Sequence, residues 1–95
     1  MLFMLIERFR GGDAAAVYRR FGERGRMLPE GLSYVDSWVE SGFGRCFQLM
    51  ECEDAGLLRE WMACWEDLVE FEVVPVVTSK EAAEAMGRAG ESPKG

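Results

Sequence analysis

The stretch 34-YVDSWVESGFGRCFQLMEC-52 decides the fold, because it reads as two alternating strands joined by a glycine-flanked turn. In the first strand, about Leu32–Glu40, Tyr34, Asp36, Trp38 and Glu40 alternate with Ser33, Val35, Ser37 and Val39. In the second, about Arg45–Glu51, Phe47 and Leu49 alternate with Cys46, Gln48, Met50 and Cys52. Successive strand side chains point to opposite faces, so the turn fixes which sets meet. A three-residue loop, Gly42-Phe43-Gly44 with Gly44 in the left-handed conformation, would set Ser41 opposite Arg45. That register groups Tyr34, Asp36, Trp38, Gln48 and Met50 on one face and Val35, Val39, Phe47 and Leu49 on the other. A two-residue loop would mix the sets.

The elements on either side fit this hairpin. LFMLIERF at residues 2–9 is a continuous apolar run ending in charge, which suits a buried central strand. Asp13 can cap a helix over 14–25 whose Ala14, Val17, Tyr18 and Phe21 share a stripe. A second helix is expected from about 53 to 67, with Leu57, Leu58, Trp61, Met62, Trp65 and Leu68 on its apolar side. A fourth strand over 69–77 contains Pro75, which has no amide to donate, so it belongs at a sheet edge. Thr78-Ser79-Lys80-Glu81 matches a capping box for a short last helix ending at Met86–Gly87.

The order is βαββαβ with an additional C-terminal helix, the split β-α-β pattern of an α+β, ferredoxin-like fold. Right-handed crossovers give an antiparallel sheet in the order 4-1-3-2 with both main helices on one face. Ninety-five residues that are 48% apolar suffice for one core without staples, so one domain is expected over 1–88 with a disordered tail at 89–95. The face away from the helices, with Tyr34, Trp38 and Met50 in its expected lining, is too apolar to stay wet. A homodimer, in dimeric α/β-barrel style, is the expected cover.

LFMLIERFR at the start, Ser37-Trp38, CFQLMEC at 46–52, the pair Trp61 and Trp65, and DLVEFEVVPVV at 67–77 together resemble a small bacterial family described only as a domain of unknown function. The likeness spans about residues 1–86. That family is similar to the dimeric α/β-barrel superfamily, which includes cofactor-independent monooxygenases, small isomerases, stress-response barrels and haem-handling enzymes. The resemblance implies the fold and brings no established activity with it.

Composition narrows the chemistry. The net charge of −6 argues against a phosphate-neutralising surface, so no nucleic-acid partner is expected. Six arginines against three acids give residues 1–28 a charge of +3, which a solvated helix face explains most simply. The opening MLFMLI is too short for a membrane segment or signal, and no membrane association is expected. Three cysteines without a CxxC spacing favour reduced thiols in the cytoplasm, as buried small apolar groups and not as a metal site. Cys46 and Cys52 would stand roughly 20 Å apart along one strand. Histidine is absent, which removes histidine-dependent triads and the usual metal and haem ligands, so neither a metal nor another cofactor is expected.

Glu7 interrupts an otherwise apolar central strand. A buried carboxyl there could act as a general base or hold a polar ligand, or it could sit at the strand end and pair with an arginine. Asp36 with Gln48 could orient a small polar molecule or complete an interface network. Trp61 and Trp65, one helical turn apart, could wall a pocket or simply fill the core. The expected pocket lining is therefore Glu7, Tyr34, Asp36, Trp38, Gln48, Met50, Trp61 and Trp65, with no catalytic residue assigned. Two readings remain open: a dimer binding a small apolar or aromatic molecule, using cofactor-independent acid/base or oxygen chemistry if it catalyses, or a non-catalytic interaction module.

Overall fold

The computed structural model describes residues 1–89. Most of the expected tail, residues 90–95, lies outside the described residues. The elements are β1 (Leu2–Phe9), α1 (Ala14–Arg24), β2 (Ser33–Val39), β3 (Arg45–Glu51), α2 (Gly56–Ala63), β4 (Val69–Val76) and α3 (Ser79–Ala89). The four strands form one antiparallel sheet in the order β2-β3-β1-β4, which is the ferredoxin-like 4-1-3-2 arrangement expected from the sequence.

β1 is central because it is apolar on both faces. Phe3, Leu5, Glu7 and Phe9 are buried under the helices, while Leu2, Met4 and Ile6 are only half-buried on the other side. β3 follows the same alternation, with Cys46, Gln48 and Met50 beneath the helices. Pro75 sits in β4 at the sheet edge, where its missing amide costs no ladder bond. The core gathers Phe3, Leu5, Met50, Leu58, Trp61 and Val69, with Val17 of α1 packed against it.

The caps act as their residues suggest. Asp13 accepts a hydrogen bond from the Ala16 amide at 3.1 Å and starts α1. Thr78 and Glu81 satisfy one another's backbone amides at 3.0 and 2.9 Å, a reciprocal capping box. Gly31 has φ 97°, and a Cβ there would lie 2.9 Å from Leu57 Cδ1, so the approach of this loop to α2 needs glycine.

Three local expectations are corrected. α2 stops at Ala63, a turn earlier than the periodicity implies, because the amides of Cys64 and Trp65 bond to carbonyls three residues back and tighten the chain. α3 continues through Gly87 to Ala89. The hairpin has a four-residue loop, 41–44, in which Phe43 and not Gly44 has positive φ (60°), and Glu40 stands opposite Arg45 with its amide 2.8 Å from the Arg45 carbonyl. A bulge between Tyr34 and Asp36 then shifts the alternation once more.

Candidate functional site

The shifted register and the bulge divide the expected constellation. Tyr34, opposite Met50, lies under the helices with Gln48, so of the three residues expected on the open face only Trp38, opposite Phe47, is there, joined by Asp36, opposite Leu49. Ser37 and Val39 take their places beneath the helices, opposite Gln48 and Cys46. Asp36 turns to its own backbone and accepts from the Ser37 amide at 2.8 Å.

Between the helices and this half of the sheet is a cavity of about 170 Å³. A dry cavity near 150 Å³ holds benzene, so this one has room for a substituted single ring. Of the residues expected to line a pocket, Glu7, Gln48, Trp61 and Trp65 do so. Met50 is fully buried in the core instead. The apolar wall comes from Phe9, Val17, Phe21, Val39, Val69 and Phe71; the remaining polar lining is Arg26, Cys46, Ser37 and Tyr18. In an open groove lined by Arg8, Arg10 and Arg45, the last two are already paired, with Glu70 at 3.2 Å and Glu40 at 3.0 Å.

Glu7 is the anomaly in the pocket. It is 7% exposed, on the central strand, and its Oε2 is buried without a hydrogen-bond partner. Native proteins leave few buried polar atoms unpaired, since each costs on the order of 1–3 kcal/mol. Burial pushes its pKa up from 4.5 to about 7, while the neighbouring Cys46 thiol and Arg26 guanidinium act the other way. Cys46 is pushed up to about 12, by burial first and then by Glu7, so its thiol stays protonated. Burial also raises Tyr18, with Cys46 and Glu7 adding to the shift.

In the sequence, Arg26 is indistinguishable from the five other arginines of residues 1–28. Gly25 (φ 68°) and Met27 (φ 61°) flank it, and a non-glycine residue in the left-handed region stores strain that recurs at ligand clamps. The tryptophans hold this turn in place. Trp61 Nε1 and Trp65 Nε1 both donate to the Arg26 carbonyl, at 2.7 and 3.2 Å. The guanidinium lies 3.6 Å from the Tyr34 ring centroid and 5.1 Å from that of Phe21. Its Nε reaches Gln48 Oε1 at a long 3.4 Å. The glycine directly before Arg26, at the end of a helix, was the one signal that could have pointed to it.

The remaining arginine and cysteine readings resolve simply. Arg20 forms a two-pronged ion pair with Asp67, both bonds 2.7 Å, and also donates to the Cys64 carbonyl at 3.0 Å, tying α1 to the end of α2. Cys46 and Cys52 are buried free thiols, whereas Cys64 is exposed, contrary to the expectation that all three are buried. Among the described residues no group of histidine, cysteine, aspartate and glutamate is placed to hold a metal, and no helix is long and apolar enough to cross a membrane.

The fold and the pocket define a ferredoxin-like α+β domain with a partly open, largely apolar site carrying one buried carboxyl. The chain belongs to the family described as Domain of unknown function (DUF3303), whose model matches residues 1–90. Among curated proteins and among solved structures, nothing matches it significantly.

Proposed function

We propose that the protein binds a small, largely apolar aromatic molecule in the cavity between its helices and its sheet. The observation that carries this reading is the unpartnered Oε2 of Glu7, buried in a largely apolar lining. A carboxyl kept there only for packing would be replaced at a gain in stability by an apolar residue of similar size. The alternative of a purely structural module would be favoured by a space filled with side chains, and the cavity of about 170 Å³ speaks against that.

The functional form in this reading is a homodimer, with a second copy covering the open face of the sheet. Met4, Ile6, Phe47 and Leu49 form a contiguous apolar block there through the pairs Met4–Leu49 and Ile6–Phe47. Trp38 extends it beside Phe47 and is 52% exposed. The protein is also long for its size: its radius of gyration is 16.1 Å, against about 12 Å for a compact chain of this length. Met86 on α3 is 72% exposed and Val77, just after β4, 64%, apolar surface that a second copy would cover. Free thiols support a cytoplasmic setting.

Native mass spectrometry of the purified protein tests both parts. The expected result is a dimer mass, with a small molecule retained on part of the population or taken up when an aromatic compound is added. A monomer at micromolar concentration overturns the dimer. If, in a Trp38→Phe variant, the fluorescence of Trp61 and Trp65 is unmoved by every small aromatic compound tried, the binding reading fails.

A further inference from the structure

Arg26 lines the same cavity as Glu7, and among the described residues no carboxylate lies within ion-pair distance of it. Its polar side-chain contact is the long bond to Gln48. Its backbone, by contrast, is held by two indole donors and two left-handed neighbours. A buried acceptor without a donor and a fixed cation without an anion therefore share one small apolar space.

We propose that the ligand is a single-ring weak acid, a phenol or a cyclic enol, whose hydroxyl lies between Glu7 and Arg26, donating to Glu7 Oε2 and presenting its oxygen to the guanidinium. This rests on reading the cavity as a small-molecule site. The alternatives satisfy only half of the pair. A benzylic amine, cationic near neutrality, would answer Glu7 and meet Arg26 with like charge. An aromatic carboxylate would answer Arg26 and set an anion against Glu7. An acidic hydroxyl suits both protonation states: neutral, it donates to the Glu7 carboxylate; ionised, it accepts from protonated Glu7 and from Arg26.

The proton balance is closed. The ligand O–H bond breaks, its electron pair stays on oxygen facing Arg26, and the proton forms a new O–H bond at Glu7; the reverse step restores both, and no oxidant or other reactant is needed. The titratable and charged groups facing Glu7 are Arg26 from the turn after α1, Cys46 from β3 and Tyr18 from α1. With the Cys46 thiol pushed up to about 12 and Tyr18 raised above its ordinary value of 10.0, neither competes for the proton near neutrality.

The test uses p-nitrophenol, p-nitroanisole, p-nitrobenzoate and p-nitrobenzylamine with the full-length protein, following tryptophan fluorescence for binding and the phenolate absorbance for ionisation. The expected result is that p-nitrophenol binds at least about tenfold more tightly than p-nitroanisole, as one hydrogen bond to a charged group allows. Bound p-nitrophenol should also show its phenolate band at a pH where the free compound shows little. Arg26→Met should remove that band, and Glu7→Gln should cut the preference over the anisole to a few-fold, both variants still binding p-nitroanisole. If p-nitroanisole binds as tightly as p-nitrophenol, the cavity stands as a binding site and the acidic-hydroxyl proposal falls. Tighter binding of the benzoate or the benzylamine overturns the proposal in favour of an anion or a cation site. If none of the four binds, the small-molecule reading itself is lost.

Discussion

On β1, Phe3, Leu5, Glu7 and Phe9 point under the helices, while Leu2, Met4 and Ile6 point to the open side of the same sheet. The covered face thus holds the carboxyl and the exposed face holds unbroken aliphatic side chains. β3 repeats the contrast, with Gln48 and Cys46 inside against Phe47 and Leu49 outside. A domain selected only for monomer stability would exchange them, because buried polar groups cost free energy and exposed apolar ones contribute little. The inversion is the reason for reading a ligand site on the covered face and a subunit interface on the open one.

The largest expected effect tests the covered face as packing. Trp61→Ala removes a side chain that is 3% exposed, stacks edge-on with Phe71 at 5.6 Å and donates to the Arg26 carbonyl. Chemical denaturation should register a loss of about 3–5 kcal/mol. A loss near 1 kcal/mol would mean that the ring is a loose pocket wall and that the covered face is far less consolidated than its burial suggests.

Glu7→Gln has the opposite sign. The folded-state pKa lies above the unfolded one, so the native protein holds this proton more tightly, and stability falls as pH rises from about 4.5 through about 7. A raised carboxyl of this kind is harmless at low pH and fully destabilising above its folded pKa. The amide should therefore stabilise the ligand-free protein by up to about 3 kcal/mol at pH 8, a shift of roughly 2.5 units at 1.36 kcal/mol each, and change little at pH 4. Equal denaturation midpoints for both proteins at pH 8 would remove the contrast between the faces.

Two smaller effects sharpen the comparison. Asp13→Ala deletes the cap of the helix that roofs the cavity and should cost about 1 kcal/mol in thermal or chemical unfolding. Leu49→Asp places a charge in the middle of the open face. It should change monomer stability by less than about 1 kcal/mol while reducing the native mass from dimer to monomer. A stable dimer carrying this substitution would mean that the open face is not the interface.

The sequence disclosed the scaffold because its signals were local. Period-two alternation in LFMLIERF and RCFQLME, the Asp13 cap, the Thr78–Glu81 box and Pro75 each follow from neighbours a few residues away, and together they yield the sheet order. The same alternation placed Cys46, Gln48 and Met50 on one side. The site was only half legible, since its assembly depends on events without a local signature. A four-residue turn with Phe43 in the left-handed conformation carries Asp36 and Trp38 to the far face, and a bulge at Val35 returns Tyr34 to the side of Met50. Arg26 reaches the cavity because two tryptophans nearly forty residues away bind its carbonyl, a contact that no helical or strand period encodes.

The central claim is that Glu7 is a buried carboxyl with one oxygen unmet by any protein donor, and the most direct measurement is a carbon-13 NMR titration of its side-chain carboxyl in the ligand-free protein. A midpoint near 7 is predicted. A midpoint at the ordinary glutamate value of 4.5 would contradict the account, because the carboxyl would then be solvated or paired and the covered face would hold no unmet polar group.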